Sequence, residues 1–483
     1  MRARAVLLAA ALAVAACAEG DDGEATQRPD PADDRPTTTT TAPPTTTTTL
    51  GVRLDPGRAA TADCAAVPAA TPPDPTRPRY RLDMNLDLGA GTVIGSVVVR
   101  FRPDLPTDRL VFRLWPNASR SGRAGTRLDP GPVTVDGGPP VPGERPDPTT
   151  LVVPLGRTLP AGESVEASLP WTLVLPGRVA DRISRSGDAV RLGSFFPILP
   201  WEPGVGWALD PATGLFGEAS TAPTADFDWA LAVPPGLTVL GTGEQEGARW
   251  RATAVRDVGI SVGRFRVVEA TAEAPEPVRV VVGVHEGLSE DPAAYRDRVV
   301  AALEDFAVRF GWYPWRTFSL AITPVLPGGI EYPAHVMQGP DTIGRTTPHE
   351  VGHQWFYSLV GNDQGRDPVL DEALATWAEV RADRSLGELG EIDVPADAEG
   401  RAGAPMTYWD GHQSSYYEGV YAQGAQALAA LGDPDGVDCA LRRYVALEAF
   451  GIARPADLID ALATHFPDAR ETLGRYGVVA APR

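Results

Sequence analysis

The 483-residue sequence predicts an α+β chain of more than one domain, with an antiparallel β region leading into mixed strands and helices that become mostly helical toward the end. Three observations carry that expectation. From Tyr80 to Ala274, short β-type runs alternate with turn clusters, as in Val97-Val98-Val99-Arg100-Phe101-Arg102. Beyond Asp291-Pro292, which reads as a helix cap with Pro in the first turn, Tyr295, Val299, Ala302, Phe306 and Phe310 recur at helical spacing. Fifty Gly and 48 Pro supply turns and exclude a long coiled coil.

Taken in order, the chain opens with Arg2 and Arg4 before an apolar run from Ala5 to Ala16. That run is too short to span a bilayer and has the length of a signal-peptide core, so residues 1–16 read as an export signal. Val14-Ala15-Ala16-Cys17 resembles a bacterial lipobox, which makes Cys17 the lipidation site and the protein an extracytoplasmic lipoprotein anchored on the cell membrane. Residues 17–77 are rich in Thr, Pro and Asp, with Thr at 37–41 and 45–49, and read as a disordered stalk. In an exported chain the two remaining cysteines, Cys64 and Cys439, are expected to pair and clip the stalk to the C-terminal region.

Residues 78–275 form the expected β domain, with runs at Thr92–Phe101, Arg109–Trp115, Ser164–Leu169, Phe227–Val233 and Val258–Val268. No cluster of reactive side chains stands out there. Residues 276–483 form the second domain, with strands near Arg279–Val284 and Phe318–Thr323 flanking the helix after Asp291. Forty-three basic against 63 acidic residues give a net charge of −20, which weighs against a nucleic-acid partner. A monomer is expected.

The chemistry lies in the second domain. His349-Glu350-Val351-Gly352-His353 has the HExxH arrangement: on a helix, His349 and His353 share a face and reach one cation, while Glu350 can approach a water at that cation. Thr347-Pro348 reads as the cap and first turn, and Gln354 to Leu359 as the continuation of the helix. A hydrolytic zinc site takes three protein ligands and keeps one position open. Glu372 is the third-ligand candidate, on a second helix from Leu370 to Glu379 joined to the first by Val360 to Asp367. Glu379, two turns further along the same face, can support a ligand histidine from behind. The other four histidines, His285, His335, His412 and His465, lack ligand spacing and read as structural or exposed, His335 being the one that could line a cleft beside Glu331.

These residues resemble the aminopeptidase N family of gluzincin metallopeptidases, which includes leukotriene A hydrolase. His349, Glu350, His353 and Glu372 stand at the family spacing of HExxH, eighteen residues, then Glu. Upstream, Gly328-Gly329-Ile330-Glu331-Tyr332 is similar to the family's Gly-x-Met-Glu-Asn motif, and downstream Tyr421-Ala422-Gln423-Gly424-Ala425 is similar to its Tyr-x-Lys-Gly-Ala segment. Phe112 to Asn117, Gly217-Glu218-Ala219 and Phe227-Asp228-Trp229 look like family strand segments, so the resemblance spans residues 80–483 and is strongest over 326–428. It implies a saddle-like β domain before a thermolysin-like catalytic domain, one zinc ion per chain, and no large C-terminal helical-repeat domain.

The resemblance also implies roles. Glu350 would move the water proton to the leaving amine, and Tyr421 would stabilise the oxyanion, with Tyr417 and Tyr416 as competitors for that part. Glu331, with Gly328 and Gly329 in the substrate-binding strand, would take the α-ammonium of a peptide and so select a free N-terminus. A second acidic group for that amine is open between Glu202 and Glu218. Ile330 and Tyr332 depart from the family's Met and Asn, which is expected to narrow the pocket for the first residue, and Gln423 replaces its Lys. The expected function is a zinc aminopeptidase acting on peptides outside the cytoplasmic membrane. The alternatives are a zinc endopeptidase, or a non-catalytic surface lipoprotein that binds peptides or cell-wall components.

Overall fold

The computed structural model describes residues 51–55, 57–61, 64–214 and 221–480, which form one compact unit. The signal segment, Cys17, the Thr-rich run and Glu218 lie outside the described residues. Among the described residues, no helix is long and apolar enough to cross a membrane.

The first region is built on a nine-stranded sheet whose middle is Arg79–Asp87. Its exposed and buried residues alternate without a break, so Tyr80, Leu82, Met84 and Leu86 all face the core. Thr92–Phe101 pairs with it antiparallel, as expected, but on its other side Ala225–Ala232 runs parallel to it. The sheet is therefore mixed, not purely antiparallel. A strand brought back by more than 130 intervening residues needs no hairpin, and periodicity does not report its direction.

The Val258–Val268 run is two strands. Ile260–Gly263 belongs to a four-stranded sheet with Ala189–Leu192 and Thr238–Gly241, whereas Phe265–Glu273 forms a hairpin with Pro277–His285 in a five-stranded sheet. The expected division at 275/276 thus falls inside a hairpin. Along the five-stranded sheet the order is Phe265–Glu273, Pro277–His285, Thr317–Ile322, His335–Gln338 and Gly329–Tyr332, which leaves Gly329–Tyr332 at the edge. The helix Pro292–Phe310 is the crossover between the parallel strands Pro277–His285 and Thr317–Ile322. Asp291 caps it by accepting from the Ala293 N–H at 2.9 Å, and Tyr295, Val299, Ala302, Phe306 and Phe310 are buried.

That buried stripe receives the segment after His353. Trp355 meets Phe306 edge-on at 5.8 Å and donates its indole N–H to the Gly311 carbonyl, and Phe356 packs on Phe310 at 5.1 Å. The following helix, Val369–Asp383, is fixed by Asp438 of helix Pro434–Glu448, which accepts from the Trp377 indole and from Arg309 and Arg381. Gly352 lets the two metal-motif helices touch: a Cβ there would lie 3.0 Å from Ala378 Cβ.

Residues 51–77 correct the stalk expectation. The Arg53 N–H donates to the Pro314 carbonyl and its carbonyl accepts from the Trp312 indole, Arg58 pairs with Val67, and Thr71 bonds to Ala446 and Leu447. Cys64 and Cys439 form a disulfide with 5.5 Å between Cα atoms. The polar composition that follows the Thr run hides a few anchoring residues, among them Val67, which is buried.

Candidate metal centre

Helix Thr346–Gly352 carries His349 and Glu350, and His353 caps its C-terminal end in helical conformation. It starts before Pro348, so Thr347 is no cap; its hydroxyl instead accepts from the Gln338 amide at 2.9 Å. It also does not run on to Leu359. After His353 the chain widens into i→i−5 bonds, Ser358 to His353 and Leu359 to Gln354, and Tyr357 takes a φ of 118°. The Gln354 side chain is the physical cause: it accepts from the Ala334 N–H at 2.8 Å and donates to the Tyr332 carbonyl at 3.1 Å, clamping the edge strand to the end of the metal helix.

Three ligand atoms converge. His349 Nε2 lies 3.2 Å from His353 Nε2, and Glu372 Oε2 lies 3.3 Å from each of them. Bonds of about 2.0–2.1 Å at tetrahedral angles would place such atoms about 3.3–3.4 Å apart, so this triangle matches one face of a zinc tetrahedron. The other ring nitrogens are turned outward to acceptors. His349 Nδ1 faces Glu379 Oε2 at 3.3 Å, and His353 Nδ1 faces the Phe356 carbonyl at 3.1 Å. Each Nδ1 therefore has an acceptor for its proton, the arrangement that leaves Nε2 to face a cation when one is bound. Arg345, one turn before His349, holds the other oxygen of Glu379.

Electrostatics point the same way. Burial lowers the His349 pKa, but Glu372 and Glu379 overcome it and raise it to about 9. His353 is likewise raised against burial, by Glu331 and Glu372, while burial of Glu372 is overcome by the two histidines, which hold it far below the usual carboxylate range. A pocket that favours two protonated imidazoles between carboxylates favours about two positive charges at that spot, and a dication can replace those protons. The donor set fits zinc.

Around the triangle stand the other expected residues. Glu350 is buried, and with Glu331 and His353 it forms a second set of ligand-type atoms within 4.8 Å of one another. Glu331, on the edge strand, is pushed up to about 7, by burial first and then by Glu372 and Glu350 against the pull of His353. Tyr421 donates to Glu372 Oε1 at 2.5 Å and stacks on His349 with ring centroids 5.7 Å apart. Burial and Glu372 raise its pKa well above 10, so it remains a donor. It sits on a wide π-turn, Tyr417–Ala422, whose geometry separates the three tyrosines: Tyr417 is 45% exposed, and Tyr416 is buried edge-on to Tyr421. The hydroxyl bonded to the Glu372 carboxylate is that of Tyr421.

Gly329 explains itself by contact. A Cβ there would lie 2.3 Å from Glu350 Cδ, so only glycine lets the edge strand pass over that carboxylate. Gly329→Ala is expected to keep the metal and to lower any Glu350-dependent rate by up to about a hundredfold, because the carboxylate must move. Metal analysis beside a rate measurement checks this. Gly328 has open space around it.

Several expectations are corrected. Ile330 and Tyr332 do not narrow the pocket: strand alternation puts them on the face opposite Glu331, buried with Leu326 and Met337. His335 does not line the cleft; it is buried between Ser319 Oγ at 2.7 Å and Ser261 Oγ at 3.0 Å, and burial drives its pKa down to about 3. Glu202 is paired with Arg454. The expectation for the other three histidines stands: His285 faces Asp188, His412 bonds the Tyr408 carbonyl, and His465 lies near Asp433, as structural or exposed side chains. Gln423 ties the Ala398–Gly400 turn to the π-turn by three hydrogen bonds. Arg345 and the Gln354 clamp were not anticipated. Arg345 had a signal, its position four residues before His349.

No family model and no curated protein matches the chain. Solved structures do. An M1 zinc metallopeptidase from Deinococcus radiodurans aligns over 84% of this chain and 94% of its own, at 17% identity and a TM-score of 0.60. A mutant of that enzyme bound to a Tyr-Ser-Ala substrate aligns over the same shares at 18% identity and a TM-score of 0.62. A two-domain M1 zinc metallopeptidase mutant bound to L-tryptophan aligns over 86% and 98% at 17% identity, with a TM-score of 0.58. The likeness shows a shared fold.

Proposed function

We propose that the chain is a zinc metallopeptidase of the aminopeptidase type, with a saddle-like first domain and a thermolysin-like second one. The observation that carries it is the metal triangle of His349, His353 and Glu372 with Glu350 and Glu331 both packed against His353. When bound, zinc supplies a Lewis acid that polarises the scissile carbonyl and acidifies a water. Glu350 takes the proton from that water and hands it to the departing amine. The Tyr421 phenol, raised in pKa and aimed at the Glu372 carboxylate, is placed to donate to the oxygen on which charge develops.

Glu331 gives the direction of binding. Its carboxylate is buried, so an ammonium that meets it is paired while a neutral acylated end leaves it unpaired, and the free N-terminus is preferred. The edge position of Gly329–Tyr332 in its sheet suits a peptide backbone laid beside it as an added strand. The tripeptide and amino acid held by the fold relatives agree with substrates of this class. We place its action outside the cytoplasmic membrane, anchored through Cys17, on the sequence reading of residues 1–17.

Matched fluorogenic peptides with free and acetylated N-termini, each with and without a chelator, test this. Chelator-sensitive release from the free-amine series, at least tenfold over the acetylated one, is expected. Equal release from both would make the protein an endopeptidase, and silence from zinc-loaded protein would favour a binding lipoprotein.

A further inference from the structure

The edge strand bearing Glu331 is keyed into the first region by Tyr332. That ring, 1% exposed, runs between Gly193 and Gly259. A Cβ on Gly193 would lie 1.9 Å from Tyr332 Oη, and a Cβ on Gly259 would lie 2.5 Å from its ring. Neither glycine has the left-handed φ that would require glycine for backbone reasons. The ring is what excludes a side chain at both positions.

The slot is also braced. Ser194, in the left-handed region at φ 47°, donates to Asp257 Oδ2 at 2.8 Å, joining the two loops that form it. Gly259 exchanges two hydrogen bonds with Thr242: its N–H donates to the Thr242 hydroxyl, and its carbonyl accepts from the Thr242 N–H. On the other side, Gln354 binds the Tyr332 carbonyl, and Gln354 follows His353 directly. Tyr332 is thus fixed at once to the first region and to the end of the metal helix. Its neighbour Glu331 projects from the opposite face toward His353.

We infer that the Gly193–Gly259 slot and Tyr332 together set the position of the substrate's amine anchor, so that the first region determines selectivity for a free N-terminus. This rests on the reading of Glu331 as that anchor. Tyr332 and the two glycines are positioning residues, and their signature is a change in KM without loss of metal.

The test uses the full zinc-loaded chain and a free-amine peptide substrate, with KM, kcat and zinc content measured for Gly193→Ala, Tyr332→Leu, their double variant and Glu331→Gln. Gly193→Ala is expected to raise KM about tenfold with kcat within about threefold and one zinc per chain, since the ring must leave the slot. On the Tyr332→Leu background, where the deep end of the slot is open, the same change is expected to shift KM by less than about twofold. An unchanged KM in Gly193→Ala, an equal effect in both backgrounds, or loss of zinc overturns the inference. If Gly193→Ala does not fold, Tyr332→Leu decides alone: a raised KM with zinc retained supports the slot, and an unchanged KM overturns it. An unchanged KM in Glu331→Gln overturns the anchor itself, whereas a raised KM there with none in Gly193→Ala overturns only the slot.

Discussion

Glu350→Gln is expected to bind zinc as tightly as the wild type and to lose about 10²- to 10⁴-fold in turnover, about 3–5 kcal/mol of barrier. The reason is geometric. The metal triangle is complete without Glu350, since His349 Nε2, His353 Nε2 and Glu372 Oε2 lie 3.2–3.3 Å from one another. Glu350 stands beside His353 under Gly329, placed for a water and not for the three-atom face. The amide keeps the shape and some hydrogen bonding but accepts no proton, so the proton path is lost while the three ligand atoms and the packing around them are kept. Zinc content by elemental analysis together with single-turnover rates checks both halves. Loss of zinc in this variant would contradict the assignment, because it would make Glu350 a ligand.

Tyr421→Phe is expected to lower kcat by about 10²- to 10³-fold with little change in KM and none in zinc content. The phenol donates to Glu372 Oε1, the oxygen beside the one in the triangle, and its ring is held by stacking on His349 and by contact with Tyr416 and Tyr417. Phenylalanine preserves that stack. What disappears is a donor whose proton is kept in place by burial, and the loss falls on the state in which the carbonyl oxygen becomes charged. Tyr417→Phe and Tyr416→Phe are expected to change kcat by less than about threefold, because the hydroxyl bonded to Glu372 is that of Tyr421. A deficit in Tyr417→Phe as large as that in Tyr421→Phe would reverse the assignment.

The centre was legible in the sequence because its logic is local. His349 and His353 share a helical face by their spacing, and Glu372 opens a second helix whose antiparallel return is set by a short connection. The helix's end was not legible. It stops at His353 because Gln354 and Trp355 find partners in Tyr332, Ala334 and Gly311, which lie tens of residues upstream. The same limit hid the partners of buried charges and rings. Glu202 meets Arg454 across 252 positions, and His335 meets Ser261 of another sheet, so each looked available when read along the chain. Residues 51–77 read as stalk for a different reason: they are rich in Ala and Pro and poor in large apolar residues, while a single disulfide and a few hydrogen bonds secure them. Parallel pairing of Arg79–Asp87 with Ala225–Ala232 leaves no trace in periodicity, which is two for either direction.

The central claim is that His349, His353 and Glu372 hold a zinc ion. Anomalous diffraction at the zinc edge, from crystals of the full chain grown with equimolar zinc, tests it most directly. The account predicts one peak per chain, about 2.0–2.2 Å from His349 Nε2, His353 Nε2 and a Glu372 carboxylate oxygen. A peak bound by other residues, or a protein that remains free of zinc there at saturating concentration, would contradict it.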